Sequence, residues 1–240
     1  MTTFQRARRP EQVAARREAI LTAAAEMLRE RPVAEISLRE LAGRVGLAKS
    51  NVLRYFDSRE AIFLELLERT WSAWLDSLSL PASGTASGAA TGSATGSATG
   101  SAAGSASGFG RETRTATAIA ASLVGQPLLC ELFSTMGAVL ERNITLEVAR
   151  EFKRRFGTNT GRLAELVRSA VPELDEAAAT HFAGAVVVLV AGLWPYATPT
   201  DTMATASAEL GYPCAADLFT NGLTEGLVNQ LVGLSARAQT

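Results

Sequence analysis

The 240-residue sequence predicts an all-α protein in which an N-terminal helix-turn-helix is followed by a larger helical domain. Three observations support this fold class. Apolar residues recur every three or four positions through most of the chain, which is the period of an amphipathic helix. No segment alternates apolar and polar residues for long enough to indicate a strand. A capping box and a glycine turn delimit two short helices between residues 37 and 56.

The first helix of the motif is expected to begin after Ser37. The Ser37 hydroxyl can accept from the backbone N–H of Glu40, and the Glu40 carboxylate can accept from the N–H of Ser37, which is the capping-box pattern. Leu41 and Val45 then give the helix an apolar face. Gly46 adopts the left-handed conformation at low steric cost, so a short turn is expected there.

The second helix of the motif is expected to begin near Ala48 or Lys49, with Val52 and Phe56 facing inward one turn apart. Its opposite face is polar and basic, and we call it the reading face: Lys49, Ser50, Asn51 and Arg54. This pattern is typical of a recognition helix, whose first residues reach base edges in the major groove.

Each outward residue suits a particular contact with double-stranded DNA. Lys49 can donate to guanine O6 and N7, Asn51 can pair with two atoms of adenine, and Ser50 can do either with less selectivity. Arg54 and Tyr55 lie further along the chain and are expected to contact phosphate, which fixes register without reading sequence.

Three more residues complete the predicted DNA-binding set. The segment 57–60 starts the next helix, where exposed N–H groups and the Arg59 guanidinium can hold a second phosphate. Ser37 and Arg39, at the start of the first motif helix, are assigned to the same surface. The alternative interpretation is an ordinary helical hairpin with a solvated charged face.

Four stretches in the first third of the chain carry a family resemblance: 17–28 (REAILTAAAEML), 37–42 (SLRELA), 45–50 (VGLAKS) and 55–63 (YFDSREAIF). Together they resemble the DNA-binding domain of the tetracycline-repressor (TetR) family. The resemblance implies an all-helical homodimer in which the first three helices bind DNA and a variable C-terminal domain binds a small molecule.

Two positions depart from that family pattern. Leu53 stands where many members carry an aromatic residue that contacts phosphate, and Tyr55 is expected to take that role. Ala48 stands where Ser or Thr is common, so a side-chain cap on the recognition helix is not expected.

Charge is distributed unevenly along the chain, although its net value is only −1. Residues 1–60 carry 12 Lys/Arg and 8 Asp/Glu, whereas the remainder carries 11 and 16, so only the first segment has an electrostatic reason to approach a polyanion. We expect a flexible basic arm over 1–12 and the helix-turn-helix domain over 13–57. Arginines that can reach the DNA backbone or minor groove are Arg6, Arg8, Arg9, Arg16 and Arg17. The alternative is a disordered, solubilising tail.

The rest of the chain divides into three parts. A connecting fourth helix is expected over 58–80. Residues 81–110 are rich in Gly, Ser, Ala and Thr and predict a disordered insertion, without the Gly-Lys-Ser/Thr of a phosphate-binding loop. The C-terminal domain covers 111–240, with helices expected at 111–124, 127–141, 145–170, 174–197 and 215–234.

A cytoplasmic location and no membrane contact are expected. No apolar run follows the N-terminal arginines, and the most apolar stretch, Phe182–Ala197, is shorter than the ~20 residues that span a bilayer. Cys130 and Cys214 lack metal-ligand spacing and are expected to be reduced, buried thiols, with a redox sensor as the alternative.

Small residues beside leucines predict a homodimer interface on two C-terminal helices, because they permit close helix approach. The residues are Ala185, Val188, Leu189 and Gly192 on the first helix, and Gly222, Leu223, Gly226 and Leu227 on the second. In the resembled family the corresponding helices form the dimer interface. The alternative is that both stripes pack inside one subunit.

Aromatic and soft side chains in the C-terminal half predict an apolar pocket for a small-molecule effector. The candidates are Trp71, Trp74, Phe133, Met136, Phe152, Phe156, His181 and Trp194. The alternative for most of them is plain core.

Catalysis is not expected, because the chain has one histidine and lacks the usual acid–base and nucleophile spacings. No cofactor or metal is expected either. The sequence therefore predicts a ligand-responsive transcriptional regulator that binds a palindromic operator as a dimer, represses, and is released by a small apolar or amphipathic effector. The alternatives are an architectural DNA-binding protein without a ligand and a helical enzyme.

Overall fold

Residues 10–81 and 109–238 are described by the computed structural model, and within these ranges the chain forms helices and no β-strand. The prediction of an all-α fold is confirmed. A 3₁₀ turn (Val33–Glu35) follows the first helix, and a π turn (Met136–Leu140) follows the sixth. In chain order the α-helices are α1 (Pro10–Glu30), α2 (Leu38–Arg44), α3 (Lys49–Val52), α4 (Arg59–Ser77), α5 (Gly110–Val124), α6 (Pro127–Thr135), α7 (Leu146–Ala170), α8 (Glu176–Ala197), α9 (Asp201–Glu209) and α10 (Ala215–Ala238).

The first three helices enclose a small apolar core. Helix α1 buries Ile20 and Ala24, α2 buries Leu41, and α3 buries Val52, all of them almost completely excluded from water. Helices as short as α2 and α3 are marginal in isolation, so burial of these side chains holds them in place.

Helix α4 belongs to both domains. Its N-terminal half is tied to α1 by the ion pair between Arg17 and Glu65. Further along, Glu68 pairs with Arg155 of α7 at 2.8 Å. Helix α4 is therefore bonded both to α1 and to α7.

The C-terminal core forms where α10 packs against α5 and α8, while α8 also packs against α6 and α7. Leu223, Leu227 and Leu231 of α10 are fully buried there, together with Val190 of α8. This interior is built from the helices of a single chain.

The helices differ from the predicted ones at several points, and α10, expected to end at residue 234, extends to Ala238. The helix expected at 127–141 ends at Thr135 and continues as the π turn. Helix α9 is absent from the predicted set, because it buries no side chain and therefore shows no apolar period. Helix α1 begins at Pro10, inside the predicted arm; residues 1–9 of that arm and 82–108 of the predicted insertion lie outside the described residues.

Helix α8 is long and apolar enough to cross a membrane by length and composition alone. Helices α5 and α6 with the π turn pass the same test only if they are counted as one span bent by 93°. The buried side chains of α8 instead pack inside the domain, among them Phe182, Val186 and Val190, and core helices of soluble proteins pass the same test.

Candidate nucleic-acid interface and effector groove

Helix α2 begins with a complete capping box. The N–H of Glu40 donates to Ser37 Oγ at 3.2 Å, and the N–H of Ser37 donates to Glu40 Oε2 at 2.9 Å. The Ser37 hydroxyl donates to the same carboxylate, and Arg31 Nη1 donates to its other oxygen at 3.0 Å. The hydrogen bonds that this carboxylate accepts lower the pKa of Glu40 to about 2, and the bond from the Ser37 hydroxyl has the largest effect. At neutral pH the Glu40 carboxylate is therefore charged, and in this form it caps the start of α2.

A glycine turn connects α2 to α3. Gly46 has a φ of +66°, which is the left-handed conformation that other residues adopt only with strain. The N–H of Leu47 then donates to the carbonyl of Ala42 at 2.9 Å and closes the turn. Ala48 precedes α3 and supplies no side-chain cap.

The reading face lies on the outside of α3 and the turn that follows it. Lys49, Ser50 and Arg54 are exposed and Asn51 is half-buried, whereas Val52 on the opposite side is fully buried. The α-helix ends at Val52 rather than continuing to residue 56. Polar donors therefore project from one side of a short helix whose other side is anchored in the core.

Arg17 supports the reading face from behind. Its guanidinium donates to the carbonyl of Tyr55 and to Glu65, and it lies 4.1 Å from the centre of the Phe56 ring. The sequence groups Arg17 with the arginines that can reach DNA, but its donors serve contacts within the protein. Arg39 and Arg16 are exposed on neighbouring surfaces.

Arg59 is also engaged within the protein. Its Nη1 donates to the carbonyls of Ile36 at 2.8 Å and Val33 at 3.3 Å, and its Nε donates to Glu60 at 3.1 Å. Sequence reasoning misses this role because the two carbonyls lie more than twenty residues away in the chain. A phosphate contact by Arg59 would compete with these bonds.

Four of the predicted effector residues form an aromatic cluster: Trp71, Phe133, Phe152 and Phe156. Trp71 meets Phe133 and Phe156 edge to face, at ring-centre distances of 5.1 and 4.8 Å. Trp71 is 1% exposed, and its Nε1–H has no hydrogen-bond partner among the residues that the structure describes. In contrast, the neighbouring Trp74 donates to Ser122 Oγ at 3.0 Å.

An open groove of about 1190 Å³ lies beside this cluster, and we call it the C-terminal groove. It is lined by three predicted effector residues, Met136, Phe156 and His181, together with four predicted dimer residues, Ala185, Val188, Leu189 and Gly226. The structure thus brings parts of both predicted sites to one face. His181 is exposed there rather than buried in the core.

The dimer prediction needs one correction. Leu223 and Leu227 are fully buried within the chain, against α5 and α8, so they belong to the core. Gly222 and Gly226 admit Leu193 and Leu189 of the same chain, since a Cβ at either position would lie only 3.4 and 3.3 Å, respectively, from the methyl groups of these leucines. The small residues of α10 therefore serve packing inside the subunit.

Other exposed apolar side chains, which sequence analysis does not assign, lie at the end of α8 and on or after α9. Val188 of the predicted set is 70% exposed, Gly192 is exposed, and Leu189 and Ala185 are half-buried. The unassigned side chains are Tyr196, Met203, Leu210 and Tyr212, each more than half exposed. Of these, Met203 lies on α9, a helix that buries none of its side chains in its own subunit and therefore shows no apolar period.

The two cysteines differ, which corrects the expectation that both are buried. Cys130 is buried, whereas Cys214 is exposed and its Sγ accepts from the N–H of Asp217 at the start of α10. Burial raises the pKa of the Cys130 thiol to about 12, so almost none of it is thiolate at neutral pH.

This difference predicts thiol reactivity. In native protein at pH 8, an aromatic disulfide reagent is expected to modify Cys214 rapidly and Cys130 only after unfolding, because the thiolate is the nucleophile. Absorbance of the released thiol gives both phases. Cys214→Ser should remove the fast phase and Cys130→Ser should keep it; a fast phase in Cys214→Ser contradicts the assignment.

Comparisons with known proteins agree with this architecture. Residues 20–66 match the family model "Bacterial regulatory proteins, tetR family", and residues 94–238 match "Tetracyclin repressor-like, C-terminal domain". The HTH-type transcriptional regulator EthR, from Mycobacterium tuberculosis and from Mycobacterium bovis, is 43% identical over 51 residues, which is 21% of this chain. The chain spans about a quarter (24%) of the length of these curated relatives.

Two solved structures are similar over most of the chain. A TetR-family transcriptional regulator from Mesorhizobium loti has a TM-score of 0.48 and 15% identity, covering 92% of this chain and 98% of that one. The fatty acid degradation regulator FadR from Bacillus halodurans has a TM-score of 0.45 and 14% identity, covering 85% and 98%.

Proposed function

Because this chain belongs to the TetR family of transcriptional regulators, which bind DNA through a helix-turn-helix, we propose that it represses transcription as a ligand-released homodimer. In this proposal each subunit places its reading face in the major groove of one half of a palindromic operator. The observation that best supports this proposal is the reading face itself: Lys49 and Ser50 are exposed on a helix whose opposite side, at Val52, is fully buried.

Two subunits are required for selective binding, because one short helix reads too few base pairs to define a site. The exposed apolar side chains of α8 and α9, Val188, Tyr196 and Met203, are proposed to form the dimer surface. A face of this kind is costly to leave in water, and a two-fold interface pairs it with its own copy.

Val188→Arg tests the dimer surface. The arginine is tolerated in the free subunit because Val188 is exposed, but in the dimer its charge is buried without a partner, so the dimer dissociation constant should rise about tenfold or more. Sedimentation equilibrium measures this change. Ser169→Arg, an exposed position on α7, is the matched control and should remain dimeric; equal dimerisation of both variants contradicts the surface.

The proposed effector site is the part of the C-terminal groove that is lined by Met136 and Phe156. Phe156 also belongs to the aromatic cluster and connects it to the groove. An apolar body suits this lining. A hydrogen-bond acceptor on an effector that enters the cluster would suit the unpartnered Nε1–H of Trp71, whose ring packs edge to face on Phe156. The π turn at Met136–Leu140 borders the groove, and such turns are frequent at functional sites.

Release from DNA is proposed to pass through α4. Glu68 and Arg155 join α4 to α7, and Arg17 joins α4 to the carbonyl of Tyr55 next to the reading face. An effector that binds the DNA-incompetent state about 100-fold more tightly supplies roughly 3 kcal/mol, which is sufficient to empty an operator at moderate occupancy.

Selection from a pool of random duplexes tests the proposed function. The full chain is expected to enrich a palindrome whose half-sites are about one helical turn apart, and footprinting should show two protected patches. A panel of alkyl and aromatic compounds is then screened for release of that duplex. An architectural protein would instead bind all duplexes alike with a steep dependence on salt, and this outcome would replace the proposal.

A further inference from the structure

Glu131 of α6 connects two distant parts of the molecule with one carboxylate. The backbone N–H of Val33 donates to Glu131 Oε1 at 3.2 Å, and Trp194 Nε1–H donates to Glu131 Oε2 at 3.1 Å. Val33 lies in the 3₁₀ turn that precedes α2, whereas Trp194 lies on α8. Each carboxylate oxygen therefore serves a different domain.

The Val33 side of this bridge leads to the reading face. Val33 is fully buried, and its carbonyl, like that of Ile36, accepts from Arg59 of α4. The 3₁₀ turn is thus held by Glu131 at the N–H of Val33, and by Arg59 at the carbonyls of Val33 and of Ile36, which follows the turn. Ser37 lies two residues beyond the turn and caps α2, so a displacement of this turn also displaces the start of α2 and, after it, α3.

The Trp194 side leads to the C-terminal helix pair. The Trp194 indole packs edge to face on Phe219 of α10, with ring centres 5.2 Å apart. Pro195 follows within the same helix and has no N–H, so the carbonyl of Ala191 loses its usual helical donor. Helix α8 is therefore easiest to bend at the point where Trp194 contacts Glu131.

We propose that Glu131 is a positioning residue that transmits a displacement of α8 and α10 to the 3₁₀ turn ahead of α2. This inference rests on the proposed function, because its consequence is the placement of the reading face. The chemistry requires a carboxylate: both partners are N–H donors, and a carboxylate offers one acceptor oxygen to each. A glutamine of the same shape offers one oxygen and turns an N–H₂ group toward the other donor.

The test compares Glu131→Gln, Trp194→Phe and the double variant with wild type by hydrogen–deuterium exchange of residues 31–47. Each single variant should speed exchange in this segment about tenfold, because a hydrogen bond to a charged group is lost. The double variant should be no faster than the faster single variant, since both changes interrupt one connection. Glu141→Gln, a carboxylate paired with Lys153 at the surface, is the matched control and should leave this segment unchanged.

Binding to the duplex selected by the wild-type protein gives the second measurement. Glu131→Gln and Trp194→Phe should each weaken binding about fivefold to tenfold, with dimerisation unchanged. The link to α8 would be overturned if the exchange effects of the two single variants add up in the double variant. It would also be overturned if exchange is faster in Glu131→Gln but unchanged in Trp194→Phe. If the wild type selects no duplex, the proposed function fails but the exchange measurement still decides this inference; if it selects one and both variants match it in exchange and binding, the inference alone fails.

Discussion

Replacing Lys49 and Asn51 together by alanine is expected to abolish sequence-selective DNA binding and to leave the fold unchanged. Lys49 is exposed and Asn51 is half-buried, whereas Val52 makes the core contact of α3, so the double change should leave the core intact. Each base contact of this type contributes about 1–3 kcal/mol of discrimination, so the double variant should lose on the order of 100-fold or more in affinity for the selected duplex. Fluorescence anisotropy with the selected duplex and a scrambled one measures the difference.

Arg54→Ala is the informative control for this experiment. Arg54 is exposed beyond the last turn of α3, and loss of its expected phosphate contact should weaken binding to all duplexes alike and reduce the salt dependence. Arg59 is unsuitable as a phosphate control, because its removal also frees the carbonyls of Val33 and Ile36. Retained discrimination between the two duplexes in the double variant would show that the reading face is elsewhere.

Trp71→Ala is expected to cause the largest loss of stability of any single change in the aromatic cluster. Trp71 is almost completely buried and meets Phe133 and Phe156, so truncation leaves a large cavity between α4, α6 and α7. Substitutions of this kind cost about 3–5 kcal/mol in the free energy of unfolding. Urea unfolding followed by circular dichroism measures the change.

Trp71→Phe separates the contribution of ring packing to stability from that of the unpartnered indole N–H. The phenyl ring keeps most of the edge-to-face contact and removes a buried N–H that has no acceptor among the described residues, so its cost should stay within about 1 kcal/mol. Trp74→Phe is the comparison, because there the change breaks a hydrogen bond to Ser122. A loss in Trp71→Phe as large as in Trp71→Ala would mean that the Nε1–H has a partner.

The parts of the fold that sequence predicts well are those set by neighbouring residues. The capping box at Ser37 and Glu40 and the turn at Gly46 depend on residues within one or two turns, and both are present. The division of α3 into an inner side at Val52 and an outer side at Lys49 follows from helical period alone. The DNA contacts assigned to the outer side remain predictions.

The parts that sequence could not predict depend on partners far along the chain. Arg59 has a side chain typical of phosphate ligands, yet its guanidinium donates to two carbonyls, one in the 3₁₀ turn and one beyond it. Leu223 and Leu227 have the pattern of an interface stripe, and only the arrangement of α5 and α8 shows that they are core. Glu131 carries no local signal at all, because both of its donors come from other segments.

Helix α9 has a consequence for how such regulators diversify. Since no side chain of Asp201–Glu209 is buried in its own subunit, selection for folding places little constraint on that segment. Paralogues in one cell that share the same interior can therefore drift apart there first. In the proposed dimer, whose surface includes α9, mixed pairing between such paralogues would then decline while each polypeptide still folds normally.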